Sequence, residues 1–141
     1  MSASAGVIAA TMFTWLGMVL AISFLEAPLK FRAPGVTTVI GLAIGRLVFR
    51  ALNVVEVILA ALVVVACVVG RSQNLPVIAV AVPVVVLVVQ LVLIRPRLTA
   101  RSDRVLVGLQ VPGSRIHHLY IVAELVKATA LVVAGVLVLT T

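Results

Sequence analysis

Charge is scarce in this chain, and negative charge scarcer still. Charged residues make up 11% of the 141, with 11 Lys or Arg against 4 Asp or Glu. Hydrophobic residues reach 64%, where a soluble domain carries about 45–50%, and the mean hydropathy is +1.36. These values exclude a water-soluble fold and leave no room for a soluble domain beside the apolar runs. A net charge of +7 would point to nucleic acid in a soluble protein. Here the basic residues flank the hydrophobic runs, as they do in cytoplasmic loops, so no nucleic-acid partner is expected.

Cysteine is nearly absent. Cys67 stands alone, so no intramolecular disulfide can form and the redox compartment is not readable. Its place deep in an apolar run suits a small hydrophobe. Catalytic motifs are missing too. Ser23 and Ser114 lack a G-x-S-x-G setting, and there is no glycine-rich phosphate loop. His117, His118, Glu124, Glu56 and Glu26 are metal-ligand types. However, no H-E-x-x-H is present, and adjacent histidines on a helix point about 100° apart. The metal and cofactor thus stay unknown.

What the chain does have is long apolar runs. Four spans are predicted, at about residues 6–26, 51–69, 75–94 and 117–139, each long enough for a hydrocarbon core of about 30 Å. Residues 1–6 carry no basic side chain, so the first run reads as a retained helix rather than a signal peptide. It is predicted to end at Glu26-Ala27-Pro28, with Trp15 as a packing residue. The run over 36–69 would reach about 50 Å as one helix. Its first part, 36–49, is therefore an interfacial helix, a re-entrant one or an extension of the second span. Gly41 and Gly45 form a G-x-x-x-G that permits close helix approach. Pro83 should kink the third span, and Gln90 is that span's one polar side chain. Residues 95–115 read as a loop in which 105–111 are apolar enough to lie on the membrane surface, with Pro112-Gly113 opening the fourth span.

The fold class expected is all-α: a four-transmembrane-helix bundle with basic cytoplasmic loops, forming a single transmembrane domain. Lys30, Arg32 and the loop arginines share one side with Arg46 and Arg50, whereas the other side has Arg71. The positive-inside rule puts the basic side in the cytoplasm and both termini outside. A faint internal repeat accompanies this: each half reads helix, Pro, basic residues, Pro-Gly, helix, as two parallel hairpins would.

His117, Tyr120, Glu124 and Lys127 follow i, i+3, i+7, i+10 spacing, which places them within about 80° of one helix face. Ionisable groups at membrane depth are costly and mark functional positions by default. Asn53, Glu56 and Glu26 add polar groups at similar depth. These seven are the candidate ligand-binding residues, with the stripe turned inward and Lys127 contacting Glu56 or Glu124. The bland alternative is a buried ion-pair network that fixes helix register. Arg95, Arg97, Arg101, Arg104 and Arg115 are candidates for anionic lipid headgroups, although orientation alone also explains them.

The segments ISFLEAPLKFRAPG (22–35) and GRLVFRALNVVE (45–56), with SRIHHLYIVAELVK (114–127) in weaker support, resemble small four-span bacterial integral membrane proteins of no assigned activity. The resemblance implies a bacterial inner-membrane setting and carries no activity with it. The leading functional expectation is binding or movement of a small solute or ion through a polar, cytoplasm-facing cavity. The alternatives are a structural, accessory or self-assembling subunit, within a homo-oligomer or membrane complex, and a metal- or cofactor-dependent membrane enzyme.

Overall fold

The computed structural model describes residues 2–71, 74–108 and 115–141. The Pro112-Gly113 turn, Ser114, the apolar residues 109–111 and the centre of the polar turn at 70–74 lie outside the described residues.

Four helices are long and apolar enough to cross a membrane: α1 (Ala3–Arg32), α2 (Thr38–Gly70), α3 (Val77–Leu106) and α4 (Arg115–Leu139). Among the described residues there is no strand. Ser2 caps α1 by accepting from the Ala5 amide, and Thr37 caps α2 by accepting from Ile40. Both satisfy first-turn N–H groups that have no helical partner. Helix α2 ends on Arg71, whose φ of 44° is left-handed, the conformation that commonly stops a helix.

Two helices run further than the sequence suggested. Helix α1 passes through Pro28 to Arg32, and α3 passes through Pro96 to Leu106, so residues 95–106 are helical rather than loop. Of the three alternatives for residues 36–49, the structure has the extension of the second span and no separate interfacial helix, because Thr38–Gly70 is one continuous helix of 33 residues. The proline crossings share one device. Leu20–Glu26 and Gln90–Ile94 are π-helical, and in each case the residue just before the proline bonds five residues back: Ala27 N–H to the Ile22 carbonyl, Arg95 N–H to the Gln90 carbonyl. A proline ring runs into the carbonyl four residues back. The wider π turn re-registers the backbone there, so the helix continues. Pro83 lies inside α3, as expected, and on its buried face.

Buried residues mark the packed faces. On α3 they are Val80, Pro83, Leu87, Gln90 and Ile94; on α2, Gly41, Gly45, Leu52, Glu56, Ala60 and Val63. These three- and four-residue steps are those of helices crossing at shallow angles. Helix α1 packs along α2 and α4, and α3 packs along α4; α2 and α3 are the most sparsely packed neighbours, and the pairs α2–α4 and α1–α3 are least in contact. The main apolar core gathers Ile8, Met12, Trp15, Val63, Leu131 and Val138. A smaller cluster of Ile94, Ile116 and Tyr120, with Phe49 and Leu98 against it, lies at the basic end.

Gly41 and Gly45 make room for side chains rather than for a neighbouring helix backbone. A methyl group on Gly41 would strike the Phe31 ring, and one on Gly45 would sit 2.8 Å from Lys30 Nζ. The last turn of α1 thus folds its side chains over the first turns of α2.

Candidate functional site

The two apolar clusters are separated by a polar layer. On α3, Gln90 falls between Leu87 of one cluster and Ile94 of the other; on α4, Glu124 falls between Tyr120 and Ala128. Lys127 is the centre of this layer. Its Nζ lies 2.5 Å from Glu56 Oε2, 2.6 Å from Glu124 Oε1 and 2.7 Å from Gln90 Oε1. An ammonium has three N–H donors and no acceptor, so three oxygens from three helices match it. Gln90 Nε2 donates to Glu124 Oε1 at 2.8 Å, and the Trp15 indole N–H donates to Glu56 Oε2 at 3.1 Å. Every helix contributes. Glu56, Glu124 and Lys127 are each 1% exposed. Charges so buried are tolerated only when paired and hydrogen-bonded. The second oxygens, Glu56 Oε1 and Glu124 Oε2, are buried and accept no hydrogen bond among the described residues.

A cleft of about 1050 Å³ leads from the basic end to this layer. Glu124 and Tyr120 line it together with Asn53 and His117, and Lys30, Arg46, Arg50 and Arg95 stand around it. Phe24, Phe31, Phe49, Leu91 and Ile121 form apolar walls. Arg95 is held in place by rings: its guanidinium carbon lies 4.9 Å from the centre of Phe49 and 5.6 Å from that of Tyr120. Those two rings meet edge to face at 5.8 Å. Lys30 Nζ lies 5.5 Å from the Phe31 ring and 5.7 Å from the Phe49 ring. Such stacking keeps a cation in place without neutralising it.

Of the seven candidate ligand residues, Glu56, Glu124 and Lys127 join the buried layer, and Tyr120, Asn53 and His117 line the cleft. Glu56 and Lys127 lie behind Glu124 rather than on the cleft wall. His117 is exposed, so the inward stripe holds for three of its four residues; the first turn of α4 lies beyond the packed core. Glu26 is 3.8 Å from Lys30 one turn on and does not face the cleft. Arg97, Arg104 and Arg115 are exposed at the basic end, whereas Arg95 is drawn into the cleft and Arg101 is half-buried. Arg46 pairs with Asp103 at 2.6 Å across the mouth, joining α2 to α3, the most sparsely packed of the neighbouring helix pairs.

Gln90 and Trp15 are the participants that sequence reasoning left off its site. A lone amide within an apolar span was the available signal. For Trp15 it was the rule that a buried indole N–H finds an acceptor. Among the described residues no three His, Cys, Asp or Glu side chains come together as a metal site. Comparison with family models, curated proteins and solved structures finds no match, and the site is therefore read from its own chemistry.

Proposed function

We propose that this multi-pass membrane protein binds or moves a small solute or ion through its cleft, with the basic end in the cytoplasm of a bacterial cell, both termini outside and the inner membrane as its seat. The observation that carries the reading is a cleft of about 1050 Å³ ending on a buried charged layer drawn from all four helices. A network serving register alone has no need of an aqueous approach. Here Glu124 stands at the junction of both, and its second carboxylate oxygen accepts no hydrogen bond among the described residues. Anionic lipids at Arg97, Arg104 and Arg115, and a homo-oligomer or larger membrane complex, are the partners proposed with it.

Thiol accessibility tests the reading. In a Cys67→Ala chain reconstituted in liposomes, Asn53→Cys should react with a small water-soluble thiosulfonate from the basic side. Ala60→Cys, beyond the charged layer and buried, should not. Protection at both positions means that the cleft is not an aqueous site and ends the proposal.

A further inference from the structure

The charge balance of the cleft identifies the ligand class. The chain has only four acidic side chains, and each is engaged: Glu26 by Lys30, Asp103 by Arg46, and Glu56 and Glu124 by Lys127. Among the described residues no carboxylate is left within ion-pair distance of Arg50 or Arg95, and both line the cleft. Arg95 is the telling one. It is half-buried, its position fixed by Phe49 and Tyr120, and its charge unpaired. Simple orientation by positive charge asks only that an arginine lie near the surface, as Arg97 does. It does not ask for a guanidinium held between two rings inside a cleft. The planar guanidinium fork suits a phosphate or carboxylate. The wall beside it is apolar, with Phe24, Leu91 and Ile121. The volume of about 1050 Å³ exceeds what a bare inorganic anion fills, since pockets of roughly 300–1,000 Å³ take whole organic ligands.

We propose that the cleft binds an amphiphilic anion, its phosphate or carboxylate head against Arg95 and Arg50 and its apolar chain along the Phe24, Leu91 and Ile121 wall. This rests on the cleft being the solute site. The head is the same for a lipid drawn from the surrounding leaflet and for a dissolved single-chain amphiphile. Of the neighbouring helix pairs α2 and α3 pack least and are held at the mouth by the Arg46–Asp103 pair, so the bundle is most open to such a chain on that side.

The test uses the full chain in a neutral maltoside detergent, titrated with decyl phosphate, inorganic phosphate and decyl maltoside. Phosphatidic acid is added separately and retained lipid is read by native mass spectrometry. Saturable binding of decyl phosphate or phosphatidic acid, weakened about ten- to hundredfold by Arg95→Gln and by Arg50→Gln, is the expected result. Arg32→Gln, which removes the same charge from an exposed residue outside the cleft, should leave binding unchanged. Retention of decyl phosphate alone identifies a dissolved amphiphile, and retention of phosphatidic acid alone identifies a lipid. Arg50 is exposed, so its variant keeps the test valid where Arg95→Gln disturbs folding. Three results overturn the proposal: no saturable binding of either amphiphile, equal loss with Arg32→Gln and Arg95→Gln, or neither decyl phosphate nor phosphatidic acid binding more tightly than inorganic phosphate. If Asn53→Cys nonetheless reacts from the basic side, only the ligand class has failed and the aqueous cleft stands.

Discussion

Lys127 and Glu56, 71 residues apart in the chain, meet at 2.5 Å in an interior where each is 1% exposed. The pair joins α4 to α2, two helices that otherwise have few contacts. Removing Lys127 alone leaves two buried carboxylates without their cation. Lys127→Met should therefore destabilise by about 3–5 kcal/mol. The double variants with Glu56→Gln or Glu124→Gln should lose less than the sum of the single effects. A double-mutant cycle on thermal stability in detergent measures this. Strict additivity for both carboxylates would mean that the network contributes nothing as a unit.

Trp15 donates to the same oxygen of Glu56 that receives Lys127. Trp15→Phe keeps an aromatic ring in the core but loses a hydrogen bond to a charged acceptor, costing about 1.5–3 kcal/mol. In a Glu56→Gln background the same change should cost about 1 kcal/mol, because the acceptor is then neutral. Equal losses in both backgrounds would show that Trp15 acts by packing alone.

Gln90 is both donor and acceptor in the layer. Gln90→Leu is nearly isosteric and strands one bond on Glu124 and one on Lys127, so a loss of about 1–3 kcal/mol is expected. Gln90→Glu should be worse than Gln90→Leu, since it crowds a third carboxylate around one ammonium. Unfolding midpoints of the two variants decide the order.

The Arg46–Asp103 pair gives the contrasting case. At 2.6 Å it is as short as the buried contacts, yet its side chains are 35% and 54% exposed. Asp103→Asn should change stability by about 1 kcal/mol or less, with the effect fading in high salt. A loss comparable with that of Lys127→Met would show that the mouth, not the buried layer, holds α2 to α3.

Topology is checked by labelling in intact cells with an impermeant maleimide, in a Cys67→Ala background. Ser2→Cys and Thr141→Cys should react and Arg101→Cys should not, as the positive-inside rule requires. The reverse pattern would invert the orientation and place the cleft outside.

The sequence by itself determined the four apolar helices, the gathering of basic residues at one end, and the polar face of α4. Helical period and a hydrocarbon thickness of about 30 Å leave few other solutions for runs of this length. It also indicated that Lys127 would need a carboxylate, because an unpaired ion there is too costly. It misjudged where α1 and α3 end. A proline preceding basic residues reads as a boundary, and the π turns before Pro28 and Pro96 that carry the helix onward have no one-residue signature. Only the tertiary structure decided that Gln90 and Trp15 complete the layer, that Arg95 stacks on Phe49 and Tyr120, and that Gly41 and Gly45 accommodate Phe31 and Lys30. Each of these depends on how one helix is rotated and slid against another. That is fixed by packing summed over whole faces and by three oxygens converging on one ammonium, neither of which any single segment contains.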